Sequence, residues 1–347
     1  MTAVRPTLEV VARLAGTSVP TVSKVLRGGT DVSDATRRHV LAAVATTGYR
    51  SRSASSRRSE TTAMPTLVDL VMTAVDNAWA TRALSGIEQA ATDAGIGVVM
   101  TIARDSDEWL TRLLRRHSEG AVIVGLGPSS AQISGLAAAG IPVVLVDPVV
   151  RPPDDVPSVG STNWEGGRSA GEHLAALGHR RIGIVDAGPG TLYNAARVDG
   201  FRSALTTAGL DLPASRIVHG DWSRPTAYEA VLPVLAAEER PTALFACSES
   251  MAFGIYDAAA TLGLRIPQDL SVVGFDDLPE AQWATPPMTT VQQPTAEMGS
   301  VALRILLDTI RDQRSPRGRA GRTTRIELAT HFLVRASTAP PSGAEAP

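Results

Sequence analysis

One side of a short helix near the amino terminus collects residues suited to touching a polyanion. Ser18 is a good N-cap, and Pro20 is tolerated only in a first turn, where its missing N–H has no intrahelical partner. The helix therefore starts within a residue of Val19. Val22, Val25 and Leu26 form its buried side, so Val19, Pro20, Ser23, Lys24 and Arg27 face outward. Thr21 and Ser23 offer hydroxyls to phosphates, Lys24 suits a guanine edge, and Val19 suits thymine methyls.

Two further helices must hold that one in place. After Thr7, the residues Leu8, Val11, Ala12 and Ala15 recur at spacings of three and four, which predicts a first helix of about two turns that Gly16 ends. Ser33 then caps a third helix with Asp34 in its positive first turn and Val40, Leu41 and Val44 on its core face. Two short helices joined by a glycine turn are the DNA-binding helix-turn-helix, whose second helix lies in the major groove. An ordinary protein-binding three-helix module is the competing reading of such a pair. Charge favours nucleic acid: residues 1–60 hold ten Arg or Lys against four Asp or Glu, although the whole chain carries −2. A basic end on an acidic remainder meets phosphate locally and avoids general sticking.

Residues 50–65 are rich in Ser and Arg and read as a flexible basic linker. Beyond it, short apolar runs alternate with amphipathic stretches. Strands are predicted at 67–72, 97–102, 121–124, 143–146, 181–185, 217–219, 243–246 and 271–274, with helices between them. That order predicts two doubly wound parallel-sheet lobes, an α/β body behind a small all-α head. Ligands of such sheets sit beyond the carboxyl ends of the strands. The polar and aromatic outliers fall there: Asp76, Asn77 and Trp79; Ser161, Thr162, Asn163 and Trp164; Arg197; Asp221 and Trp222; Ser248 and Glu249; Asp276 and Asp277. Tryptophan beside hydroxyl-binding side chains suits a pyranose face. Each also has a plainer reading: the tryptophans as core or rim, Arg197 as partner of Asp199 or Asp221, Asp276 as a cap for turn amides.

The run from Val10 to Ser18, Thr21 to Leu26, Val32-Ser33, Thr36-Arg37 and Gly48-Tyr49 resembles the head of the LacI family of bacterial transcriptional regulators. Gly178-His179-Arg180-Arg181-Ile182-Gly183, Arg197-Val198-Asp199-Gly200-Phe201, residues 271–277 and residues 333–338 are similar to motifs of the same family. The resemblance implies a periplasmic-binding-protein body in which Arg197 grips sugar hydroxyls, Trp222 stacks on the ring, Asp276 accepts hydroxyl protons and Gln293 adds a contact near the lobe crossover. With Asn77, Trp79, Asp147, Asn163 and Ser248 these make the expected effector set. The expected DNA-facing set is Thr7, Ser18, Val19, Pro20, Thr21, Ser23, Lys24, Arg27 and Tyr49, with Arg57 and Arg58 in the linker. The family's hinge inserts a leucine into the minor groove, whereas this chain has Arg58 at that position. Arg57 and Arg58 entering a narrow A·T-rich groove is one reading, and a disordered linker with diffuse phosphate contacts is the other. Glu249 also stands where the family usually has aspartate.

The expected domains are the head, 1–49; the linker, 50–65; an N-terminal lobe, 66–163 and 293–322; a C-terminal lobe, 164–292 and 323–338; and a disordered tail, 339–347. There is one cysteine, Cys247, and no Cys/His cluster has zinc spacing, so neither a disulfide within the chain nor a metal is expected. No nucleophile elbow, P-loop or complete dinucleotide fingerprint occurs, so neither catalysis nor a cofactor is expected. With no apolar leader and no membrane-length segment, a cytoplasmic protein is expected. The implied function is a homodimeric repressor, joined through helices near residues 84–91 and 251–259, that binds operator DNA and is released by a sugar. A corepressor-dependent regulator answering to a purine or phosphorylated ligand is the alternative, and a solute-binding protein shares the fold but not the basic head.

Overall fold

The structure is a computed structural model that describes residues 6–29, 31–49, 67–104, 108–116, 118–314 and 324–342. The linker, with Arg57 and Arg58, lies outside the described residues.

Helices α1 (Leu8–Leu14), α2 (Val19–Leu26) and α3 (Asp34–Thr47) form the head. Ser18 Oγ accepts the Thr21 N–H and Ser33 Oγ the Thr36 N–H, both at 3.3 Å, so each cap satisfies an orphan donor of its first turn. Val11, Val22, Val25, Val40, Leu41 and Val44 are buried together. The apolar spacing predicts this core, and the outward side of α2 remains polar.

Walking on, β1 (Leu67–Met72), α4 (Ala78–Ala94), β2 (Gly97–Ile102), α5 (Glu108–Arg116), β3 (Ala121–Val124), α6 (Ser130–Ala139), β4 (Val143–Val146) and β5 (Ser158–Ser161) build the first sheet. Then come α7 (Asn163–Ala176), β6 (Ile182–Asp186), α8 (Leu192–Thr207), β7 (Ile217–His219), α9 (Arg224–Ala236), β8 (Ala243–Ala246), α10 (Glu249–Thr261), β9 (Ser271–Asp276), α11 (Pro279–Trp283) and β10 (Thr289–Gln292). The chain returns through α12 (Thr295–Arg314), β11 (Arg325–Leu328) and β12 (His331–Leu333). Strand order is β11-β5-β4-β3-β1-β2 in one sheet and β12-β10-β9-β8-β6-β7 in the other. Residues 1–159 with 296–326 form one compact unit, and 160–295 with 327–347 the other.

In the first unit, β1 is the pivot: it pairs in parallel with β2 on one side and β3 on the other. Its one charged residue, Asp69, is fully buried and is met by the Arg116 guanidinium of α5, which also donates to Thr101 at 2.7 Å. The head does not stand apart within this unit. Leu41 of α3 lies against Gly135 of α6, and one apolar cluster runs from Val11 and Leu41 to Leu110, Leu113 and Leu136.

The second unit is parallel throughout except for β12, which pairs antiparallel with β10. Phe201, Phe245 and Phe275 fill its centre. The tail expected to be disordered from 339 is anchored at its start. Ala339 donates to Ser271 Oγ at 3.0 Å, and its carbonyl accepts from His179 Nε2 at 2.9 Å. Burial lowers the pKa of His179 and favours its neutral form.

Some elements go beyond the sequence expectation. β5, with sequence Ser-Val-Gly-Ser, has no apolar run, and β11 and β12 are exposed edge pieces whose pairing is non-local. α12 carries a readable signal, since Met298, Ala302, Leu306 and Ile310 recur every four residues and are buried.

Candidate functional site

Backbone strain marks the places where polar side chains gather. The non-glycine residues with left-handed φ among those described are Asp147, Asp221, Trp222, Asp276 and Asp277. Every one lies at or just after the carboxyl end of a strand. Residues held there cost about 1–3 kcal/mol each and persist where the surroundings fix them, a pattern typical of ligand clamps.

Arg197, from α8, is the centre of the cluster in the second unit and only 2% exposed. Its Nε donates to Asn163 Oδ1 at 2.7 Å and its Nη1 to the Cys247 carbonyl at 2.5 Å, with Asp276 Oδ1 3.5 Å from Nη1. The guanidinium lies on the Phe275 ring, 3.7 Å from its centroid, and near the rings of Tyr193 and Trp222 at 5.8 and 5.9 Å. A weakly hydrated planar cation accepts such a seat more readily than an ammonium. Tyr193 and Trp222 are themselves 5.3 Å apart and tilted by 47°. Asn163, Arg197, Trp222 and Asp276 are thus brought together as expected, and the plain pairing of Arg197 with Asp199 or Asp221 is not what the structure has.

Two glycines set the height of Arg197. A Cβ on Gly167 of α7 would lie 2.0 Å from the Arg197 carbonyl oxygen, and a Cβ on Gly200 of α8 would lie 1.9 Å from that of Trp164. The two helices therefore touch backbone to backbone, each notched where the other passes. This contact positions the arginine.

Glu249 takes up a different task from an aspartate in that wall. Its carboxylate accepts the Leu278 N–H at 2.6 Å and the Thr290 hydroxyl at 2.8 Å, tying α10 to the loop that carries Asp276 and Asp277. Burial, helped by the charge of Asp276, pushes its pKa up to about 8. A carboxyl group near 4.5 in the unfolded chain then binds its proton more tightly when folded. Its stabilising contribution is complete below pH 4.5 and is lost as pH rises through about 8. Unfolding free energy should fall by up to about 1.4 kcal/mol per pH unit in that window, and Glu249→Gln should flatten the slope. Urea titrations at about pH 5, 6, 7 and 8 measure it; equal slopes in both proteins would refute the assignment.

The other candidates lie apart from this cluster or have bonds of their own. Gln293 is 1% exposed and donates to Ser161 Oγ at 2.9 Å, which fastens the chain near the crossover. Ser248 is buried and caps α10 by accepting the Met251 N–H. Asn77 caps α4 through the Ala80 N–H at 2.8 Å. Trp79, in the first turn of α4, borders Gly125, and Asp147 is buried just past the end of β4; both belong to the first unit. Reading the sequence missed Tyr193, one helical turn before Arg197, a spacing that could have found it. It also missed Asp186, whose carboxylate meets His219 Nδ1 at 2.5 Å at the ends of β6 and β7.

In the head, Thr7, Ser18, Pro20, Lys24 and Arg27 are exposed, and Val19, Thr21 and Ser23 are partly so. Lys24 forms an ion pair with Asp31, an exposed contact that phosphate or a base edge can displace at little cost. Tyr49 departs from expectation: it is buried in the core shared with α3, so packing claims most of its ring.

Residues 7–51 match the bacterial regulatory proteins of the lacI family, and residues 172–338 match the periplasmic binding protein-like domain. The HTH-type transcriptional regulator CelR of Thermobifida fusca is 32% identical over 341 residues, which cover 96% of this chain and 98% of that protein. The chain belongs to the LacI family. A solved complex of the transcriptional regulator CelR with cellobiose aligns with this LacI-family regulator at a TM-score of 0.74 and 31% identity, over 96% of this chain and all of the other. The lac repressor dimer bound to operator and the anti-inducer ONPF aligns at a TM-score of 0.69 and 26% identity, over 97% and 100% of the two chains. The protein is a DNA-binding transcriptional regulator, like the relatives it matches. Among its described residues no helix is long and apolar enough to cross a membrane.

Proposed function

We propose that this LacI-family regulator is a cytoplasmic homodimeric repressor that reads a pseudo-palindromic operator with the outward side of α2 and releases it when a sugar binds around Arg197. The observation that carries the effector class is the seat of Arg197: a buried guanidinium on Phe275, with Asn163 and Asp276 beside it and Tyr193 and Trp222 at its edge. Such a set hydrogen-bonds vicinal hydroxyls and covers an apolar ring face. The 47° tilt between Tyr193 and Trp222 disfavours a planar base held between them, which weighs against a purine corepressor. Similarity to a protein solved with cellobiose supports a sugar, in the mono- to oligosaccharide range.

Fluorescence anisotropy on a labelled fragment from the adjoining promoter region tests the reading. At fixed salt, one sugar from a panel should weaken the complex about 5- to 150-fold, the usual range of allosteric coupling. Tightening by a purine, with no sugar effect, would replace the sugar with a corepressor. In the same assay Lys24→Ala should cost about 1–3 kcal/mol and relax preference at one base pair of each half-site. A uniform loss across operator variants would mean that Lys24 holds only phosphate.

Trp283 at the end of α11 is 76% exposed and is the large apolar surface position at which the dimer is tested. Trp283→Glu should convert the dimer to monomer in sedimentation at micromolar concentration and lower operator affinity steeply; an unchanged sedimentation coefficient would move the interface elsewhere.

A further inference from the structure

A second concave surface, separate from the cluster around Arg197, lies in the first unit where the head meets the lobe. A cavity of about 990 Å³ opens between α3 and the ends of the first sheet. Three arginines line it: Arg37 and Arg38 from α3, and Arg104 from the segment after β2. None of the three has a carboxylate within ion-pair distance among the described residues. Asp34 and Glu108 also line the cavity, and Glu108 is occupied by Arg112 at 2.6 Å.

Arg37 is the telling member. It is 5% exposed, and its Nη2 donates to the Gly29 carbonyl at 2.5 Å. Its Nη1 is buried and no acceptor among the described residues reaches it. A buried guanidinium without a counter-charge is costly, and because Arg37 also lines the cavity, an anion held there would offset that cost through space. The volume is at the upper end of small-molecule sites and far larger than inorganic phosphate needs. Trp109 and Leu126 supply apolar wall beside the arginines.

We infer that this cavity binds a small phosphate-bearing metabolite, its phosphate on Arg38 and Arg104 with the buried charge of Arg37 behind them and its body against the Trp109 wall, so that the ligand bridges the head to the lobe. Guanidinium forks match phosphate geometry. Because α3 and the lobe both contribute, occupancy joins two parts of one unit and resists any movement of the head away from α6.

Calorimetry on the full-length protein at fixed salt tests this, with glucose 6-phosphate as the probe and glucose and inorganic phosphate as comparisons. Glucose 6-phosphate should bind at least about tenfold more tightly than either. Arg38→Gln/Arg104→Gln should weaken it by at least about tenfold with an unchanged melting curve. This pair is chosen because both arginines are exposed, whereas Arg37→Gln also removes the Gly29 contact and endangers the head. No binding at millimolar probe, or equal binding by wild type and the double variant, overturns the inference. Binding that survives the double variant but vanishes in Arg197→Met places the ligand in the second unit, which also overturns it. DNA phosphate is the competing source of the anion: if the double variant loses operator affinity with a shallower salt dependence while wild type takes up no glucose 6-phosphate, the arginines serve the DNA backbone instead.

Discussion

Arg197→Met should lower sugar affinity by about a hundredfold to ten-thousandfold and leave operator affinity in the absence of sugar unchanged. The result in a reporter strain is a repressor that no longer responds. Two charge-assisted hydrogen bonds to ligand hydroxyls, each worth about 1.5–3 kcal/mol, set that range. Methionine is the useful replacement because its flexible thioether can still cover the Phe275 ring on which the guanidinium now lies. Arg197→Lys keeps the charge but loses the planar fork, and should recover little. Calorimetry with the effector found by anisotropy gives the ratio directly. A loss below about fivefold would show that Arg197 is a strut between Asn163 and Cys247 rather than a ligand contact. The melting temperature must be followed alongside, since the change leaves Asn163 and Asp276 short of a donor.

Gly200→Ala should destabilise the second unit by about 3 kcal/mol or more, at the high end of overpacking effects. The new methyl would lie 1.9 Å from the Trp164 carbonyl oxygen, a backbone atom that cannot step aside as a side chain tip does. α7 and α8 must part, and Asn163 and Arg197 sit on those two helices. The prediction therefore has two readouts: a lower urea midpoint for the second unit, and a weakened effector response in whatever protein remains folded. Gly167→Ala, which meets the Arg197 carbonyl oxygen at 2.0 Å, should behave alike. A variant with wild-type midpoint would mean that the helices are not in backbone contact. By contrast, an exposed glycine such as Gly209, with nothing within 4 Å of its Cβ position, owes its presence to φ +67° alone and should cost far less.

Much of the site was legible because strands of a parallel sheet carry continuous apolar runs, and the residues just past the carboxyl end of each run must lie at the ligand-binding edge. That reasoning reached Arg197, Trp222 and Asp276. At the same edge Ser248 accepts the Met251 N–H, and Gln293, which the family resemblance added, donates to Ser161. Sequence position tells which edge a residue occupies, while the competition among nearby backbone donors decides what its side chain does. Tyr49 illustrates the same limit in the head: an aromatic at the end of a helix is drawn into the core whenever a groove is near.

By itself the sequence determined the local structure and the family: caps at Ser18 and Ser33, the apolar faces of α1 to α3, the β-strands that form the centres of both sheets, and the motifs shared with LacI regulators. These depend on short-range periodicity and backbone chemistry, which a chain carries at every point. Tertiary structure alone decided that burial raises the pKa of Glu249, that Arg37 is buried short of a partner, that two glycines notch α7 into α8, and that β5, β11 and β12 exist. Each of these arises from residues far apart in sequence meeting in a low-dielectric interior, where burial and proximity, rather than residue type, set the energy.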